Sequence, residues 1–332
     1  MDDIITLDYG SGGKKTSRLI EGMIVPALDN PALGELGDGA IVPGALELVF
    51  STDSFVVDPI FFPGGDIGEL SVCGTVNDLS VSGGEAKYLS CAFIIEEGFE
   101  MAALERVVAS IKAAAKRAGV CVVTGDTKVV DRGRGDKIYI NTAGIGFLKY
   151  PGLTPRAIRP GDKVILSGTA GDHGTAVMLA RSGMMQGDIS SDCAPLNTLC
   201  EAVLGSGAHV RVLRDPTRGG VATTLNEFIE GTELGIELRE ELIPVRPGVQ
   251  AACDMLGLDP LYCANEGKLL AVVAPEDAQR VLSSMRENEY GRDAAVIGEV
   301  RAEYPGRLVM ATAFGGRRVL QKLSGAQLPR IC

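Results

Sequence analysis

A chain of 332 residues with 45 % apolar content can bury a sizeable core, and its length points to two domains. The formal charge of −11 is scattered, not blocked, which argues against a nucleic-acid partner, since phosphate backbones need clustered Lys and Arg. No run of about 18 apolar residues marks a membrane span. Met1-Asp2-Asp3-Ile4 has neither a basic start nor an apolar stretch, so no secretion signal is read and a cytoplasmic protein is expected.

In chain order, Leu48–Thr52 reads as a short strand running into Asp53. Met101–Ala118 is the clearest helix: Leu104, Val107, Val108, Ile111 and Ala115 keep the 3.6 period, and Gly119 stops it. Val120–Thr124 and Ile138–Leu148 follow as strands. The turn formers from Tyr150-Pro151-Gly152 to Arg159-Pro160-Gly161-Asp162 place a boundary, so 1–150 and 151–320 are expected as two α/β domains. The second half continues the alternation: strand Val164–Ser167, strand His209–Leu213, helix Val221–Ile229, strand Leu269–Ala274, helix Pro275–Arg286 and strand Ala294–Val300. Residues 321–332 carry no periodicity and are expected to form a mobile tail, able to reach roughly 40 Å when extended.

Eight cysteines include no C-x-x-C pair, and there are only two histidines, so a zinc site has little support. Most of these cysteines sit in apolar runs as small buried hydrophobes. Cys332 differs: it ends the chain, where a thiol can travel.

Four acidic turns recur in the first half: Gly37-Asp38-Gly39-Ala40, Ser51-Thr52-Asp53, Val76-Asn77-Asp78-Leu79 and Gly125-Asp126-Thr127. One such Asp is usually a turn or helix cap. Four in one unit point towards a site for Mg²⁺ and a nucleotide, because Mg²⁺ takes hard carboxylates and bridges phosphate oxygens. Three glycine-rich stretches before helices could face phosphate with their N–H groups: Gly10-Ser11-Gly12-Gly13-Lys14-Lys15, Gly168-Thr169-Ala170-Gly171-Asp172-His173-Gly174 and Asp215-Pro216-Thr217-Arg218-Gly219-Gly220. None is a Walker A loop or a G-x-G-x-x-G fingerprint. Asn265-Glu266-Gly267-Lys268, between apolar segments, offers a carboxylate suited to a general base, although an exposed loop Glu would read the same way.

Asp8-Tyr9-Gly10-Ser11-Gly12-Gly13-Lys14, Val76 through Gly84, Thr124 through Val130, Asp215 through Gly220 and the terminal Pro329-Arg330-Ile331-Cys332 together make the chain resemble the HypE family of hydrogenase maturation factors over essentially its full length. The terminal tetrapeptide is the most specific of these. The acidic turns are shared with aminoimidazole ribonucleotide synthetase, selenophosphate synthetase and thiamine-phosphate kinase. The resemblance implies their two-domain α/β (α+β) fold, with N-terminal domains sharing a β-barrel in a homodimer. It implies ATP and Mg²⁺ as cofactors, and the carbamoyltransferase HypF and the HypC–HypD scaffold as partners. The implied reaction is ATP-dependent dehydration of an S-carboxamide on Cys332 to a thiocyanate, the cyanide source for the iron of [NiFe] hydrogenase.

By resemblance Glu266 is the base and Lys128 a charge-stabilising helper, with Cys332 the tethered substrate. Asp38, Asp53, Asp78 and Asp126 match the Mg²⁺ positions. The same four, with Thr127, Asn77, Lys14, Asp215 and His173, form the nucleotide-site set, His173 without an assigned role. Two other readings stand beside this one. A selenophosphate synthetase would need a Cys near the N-terminal glycine loop, where Tyr9-Gly10-Ser11-Gly12 has none, and a thiamine-phosphate kinase would not need a terminal thiol. A non-catalytic metal-delivery scaffold would need more ligands than one thiol.

Overall fold

The computed structural model describes residues 3–10, 14–34, 42–183, 188–323 and 330–332. Short helices between Leu7 and Gly34 lead into the first half. It comprises β1 (Leu48–Phe55), α1 (Ile67–Val81), β2 (Gly84–Glu96), α2 (Met101–Ala118), β3 (Cys121–Val130) and β4 (Ile138–Leu148). The four strands form one sheet in the order β1-β4-β2-β3; β2 and β3 are parallel, and the other pairs antiparallel. α2 matches its expected bounds, with its apolar stripe buried and Gly119 closing it at φ 68°, a left-handed cap that Gly adopts without strain.

α1 was not expected as a helix, and it corrects one reading. Asp66 starts it from an extended backbone, its carboxylate accepting from the Gly68 and Glu69 N–H groups. The helix is buried around most of its circumference, so its sequence shows no polar and apolar alternation. Asn77 and Asp78 therefore lie in its last turns, not in a strand-end turn. Asp53 and Asp126 likewise sit within β1 and β3. Besides the first sheet and α2, α1 meets elements of the second half, and so carries Asn77 and Asp78 to the junction between them.

That half contains β5 (Lys163–Leu166), α3 (Asp172–Ser182), α4 (Asn197–Leu204), β6 (Val210–Arg214), α5 (Gly220–Ile229) and β7 (Gly235–Arg239). It continues with α6 (Pro247–Leu256), β8 (Leu270–Val273), α7 (Ala278–Glu287), β9 (Ala295–Arg301), β10 (Leu308–Ala311) and β11 (Arg317–Leu320). Its seven strands run β11-β10-β7-β9-β5-β8-β6. β8 and, after Lys163, β5 are apolar because both sheet faces are covered: Val164 and Leu270 enter one core, Ile165 and Ala271 the other.

The end of the tail is docked. Ile331 is 2 % exposed and joins the core of the first half, with Cys332 packed against it. The expected hinge at Gly325 lies outside the described residues.

Candidate active site

Glu266 is held from three sides. Asp192, in the stretch before α4, accepts from the N–H groups of Glu266 (3.1 Å) and Gly267 (3.3 Å) and from Lys268 Nζ (3.0 Å). A Cβ on Gly267 would lie 1.7 Å from the Asp192 carbonyl oxygen, so only glycine admits this approach. From α1, Asn77 donates to the carbonyls of Ala194 (3.1 Å) and Glu266 (3.4 Å) and accepts from the Leu196 N–H (2.7 Å). Asn265 accepts from the Gly171 N–H (2.7 Å) and donates to the Pro216 carbonyl (3.0 Å), which ties in the turn after Asp215. The Asn77 amide is thus spent on main chain and positions Glu266.

Around the buried Glu266 carboxyl lie Asp53, Asp78, Asp215 and Cys332. Burial, then Asp215, Asp192 and Asp53, push the Glu266 carboxyl well above the ordinary range; its Oε1 has no hydrogen-bond partner among the described residues. Burial and the charges of Asp78 and Asp53 push Asp215 up to about 7. Burial and Asp78 take Asp53 to about 6, against the pull of Arg218. Asp78 is raised by burial, although it accepts from the Ser51 hydroxyl at 2.7 Å. Asp192 is the exception: Lys268 and the Glu266 N–H outweigh burial and hold it below the ordinary range.

Crowded carboxylates that resist losing their protons form a site in which negative groups outweigh Arg218 and Lys268. Hard oxygen donors of this kind suit Mg²⁺. The ligand atoms of Asp53, Asp78 and Asp215 do not all lie within 4.8 Å of one another, which fits an ion taking one or two carboxylates and keeping its waters.

The thiol of Cys332 lies against the Glu266 carboxyl; burial and that neighbour raise its pKa well above the ordinary thiol value, while Arg218 opposes them. His173 is fully buried in the first turn of α3 and faces the tail, not the carboxylates: its Nε2 lies 2.8 Å from the Ile331 carbonyl. Arg330 pairs with Asp58 and Asp136.

Asp126, Thr127 and Lys128 lie elsewhere. Asp53, Thr142, Cys91 and Gly125 form one row across the sheet, on the face that α1 covers. Asp126 and Lys128 are in the alternate rows and point from the opposite, open face, paired with each other at 3.0 Å. Three strand spacings, roughly 14 Å, separate that edge from β1. Lys128 favours the Asp126 carboxylate and holds its pKa low. Thr127 is buried on the inner face. Asp38 and the side chain of Lys14 fall outside the described residues.

Sequence reasoning passed over Asp192, Arg218 and Lys268. Lys268 and Arg218 stand inside strings it quoted, but Asp192 meets Glu266 across 74 residues with no local signal.

Two family models divide the chain: the N-terminal domain of AIR synthase related proteins over 36–148, and their C-terminal domain over 159–311. The carbamoyl dehydratase HypE of Rhizobium leguminosarum bv. viciae is 51 % identical over 334 residues, covering 99 % of this chain and 95 % of that protein. The chain belongs to the HypE family. A crystal structure of a HypE in complex with ATP superposes with a TM-score of 0.95 at 50 % identity, covering 98 % of this chain and 99 % of that one. The HypE of a HypE–HypF complex aligns with a TM-score of 0.80 at 47 % identity, over 92 % of this chain and 99 % of that chain. Among the described residues no helix is long and apolar enough to cross a membrane.

Proposed function

We propose that this protein dehydrates an S-carboxamide on its own Cys332 to a thiocyanate, using ATP, as the cyanide source for the iron of [NiFe] hydrogenase. The observation that carries the reading is the Cys332 thiol seated on the buried carboxyl of Glu266, amid Asp53, Asp78 and Asp215. Full-length identity with carbamoyl dehydratases supports it.

An amide oxygen leaves poorly, so the reaction needs it phosphorylated first. The carboxamide oxygen takes the γ-phosphoryl group of ATP and an amide proton is lost, which leaves ADP and an S-bound O-phosphoryl imidate. Loss of the second N–H proton and departure of phosphate then give the C≡N bond. Glu266, fixed by Asp192 and Asn77, is the base beside the tethered carbon. Burial and its acidic neighbours keep the Glu266 carboxyl protonated in the empty site; cations entering with ATP would lower its pKa and leave a carboxylate able to take the amide proton. Asp53, Asp78 and Asp215 are the carboxylates from which Mg²⁺ would take one or two ligands, and when bound it neutralises charge developing on the phosphoryl oxygens.

The partner reading is a homodimer built on the open face of the first sheet, with HypF supplying the carboxamide, HypC–HypD receiving the product, and all steps cytoplasmic. Ile94, next to Lys128, and Leu48 and Phe50 on the opposite edge strand stand exposed on the face that carries Asp126 and Lys128, so an apolar seam there would bring this ion pair to a second copy. Intact-mass analysis after incubation with HypF, carbamoyl phosphate and ATP tests the chemistry. A gain of about 43 Da followed by loss of about 18 Da is expected, the second step absent in Glu266→Gln. A carboxamide that survives ATP in the unaltered protein would defeat the proposal.

A further inference from the structure

Besides the Arg330 ion pairs with Asp58 and Asp136 and the buried Ile331 side chain, the docked tail is gripped by its main chain. His173 Nε2 lies 2.8 Å from the Ile331 carbonyl. That carbonyl can only accept, so Nε2 carries the proton. His173 Nδ1, 2.8 Å from Ser191 Oγ, then accepts from the hydroxyl, whose oxygen in turn accepts from the Cys193 N–H at 3.0 Å. Ser191 thus fixes one tautomer of a ring that burial keeps neutral and that Phe62 meets edge-on at 5.4 Å. One residue earlier, Arg181 donates to the Arg330 carbonyl (2.6 Å) and to the Asp58 carbonyl (2.8 Å), while the Asp58 N–H reaches the Arg330 carbonyl at 3.3 Å. Both grips come from α3, two turns apart.

We infer that His173 and Arg181 are positioning residues, a latch on the Arg330 and Ile331 carbonyls that sets how often Cys332 is seated at Glu266. The inference rests on Cys332 being the carrier of the reacting group. Contacts to main chain leave the sulfur free, so the latch can hold thiol, carboxamide and thiocyanate alike. Release leaves its own penalty: Ile331 exposes its side chain, and the buried His173 N–H loses its acceptor. Opposing this, Arg330 is held at φ 51°, a left-handed backbone disfavoured for a side chain of its kind. Docking and release are therefore set against each other by groups outside the reacting site, as a tail that must meet HypF and then Glu266 requires.

The test uses the full chain and peptide-resolved alkylation by iodoacetamide. Arg181→Met and His173→Ala should each raise Cys332 alkylation about tenfold and slow single-turnover dehydration of pre-carbamoylated protein by a similar factor, with carbamoylation by HypF at least as fast as in the unaltered protein. His173→Gln, which can place an amide N–H near the lost Nε2–H, should recover much of the dehydration rate. Because His173→Ala leaves a cavity, Arg181→Met, at a half-buried site, decides the case if the former does not fold. Unchanged Cys332 alkylation in a folded Arg181→Met protein overturns the latch. If instead the unaltered protein never loses water from its carboxamide, the proposed reaction fails, while the alkylation arm still tests the latch.

Discussion

Asp53 and Asp215 keep their protons up to about 6 and about 7 in the fold, against 3.8 for an ordinary aspartate. The folded state thus binds protons more tightly than the unfolded chain. The stability this adds is complete below 3.8 and is lost as pH rises through 6 and 7. Thermal unfolding of the ligand-free protein should accordingly show a midpoint falling between pH 5 and pH 8, by the equivalent of about 1–3 kcal/mol for the cluster. Added Mg²⁺ should restore the midpoint at pH 8 and do little at pH 5, where the carboxyls are already neutral. Asp215→Asn should flatten the pH dependence; a flat profile in the unaltered protein would show that these carboxyls do not repel one another. Glu266→Gln makes a complementary case. It keeps the shape and the hydrogen-bonded main chain but removes the base, so single-turnover dehydration should fall by about 10²–10⁴ while ATP still binds. The carboxylates were visible in the sequence because residue type and small or turn-forming neighbours mark most of them. Asp192 and Arg218 were not, because their contacts are made only by the folded chain.

At the scale of elements, α1 does most to assemble the site. Gly68 lets it approach α2, since a Cβ there would fall 2.4 Å from the Val107 carbonyl oxygen, and Asp66 caps its first turn. Gly68→Ala should destabilise the protein by about 1–3 kcal/mol through forced separation of the helices, and Asp66→Ala by about 1 kcal/mol through the lost cap, both read in urea unfolding. The first should also cost activity, because moving α1 shifts Asn77 and with it Glu266. α1 also shows why part of the fold was hidden. α2 has one wet face and one dry face, so its period is printed in the chain and its bounds were read correctly. α1 is covered nearly all round, carries little alternation and was not read as an element. That is how Asp78, in the last turn of a helix, came to look like a turn residue. β2 was not read either, because its open face carries Ala92 and Ile94 and so blurs the alternation of apolar and polar residues. Asp126 was misread for another reason: Gly125 beside it suggests a turn, whereas in β3 the missing side chain lets β2 lie close, a Cβ there falling 2.2 Å from the Cys91 carbonyl oxygen.

For the whole molecule, the geometry sets the roles expected of Asp126 and Lys128 against their position, since the other expected site members that are described lie on the far side of the sheet. One chain cannot bring Lys128 to Glu266, since residues on alternate rows of a strand face opposite ways. A two-fold pairing of open faces could do so across the seam, because in an isologous interface each copy presents the same patch to the other. Phe50, 68 % exposed on β1, buries little within its own chain. Phe50→Lys should therefore leave the unfolding midpoint nearly unchanged while light scattering on a sizing column shows a monomer, and dehydration should fall with the dimer. Co-expressed, differently tagged Glu266→Gln and Lys128→Ala chains separate the two arrangements. If each site takes Glu266 from one copy and Lys128 from the other, mixed dimers keep one intact site of two, and a random mixture should recover about a quarter of the normal activity. If both act within one chain, the mixture stays as inactive as its parents. A fully active Lys128→Ala protein would remove Lys128 from the reaction altogether and leave its pairing with Asp126 as a surface ion pair, worth little to stability.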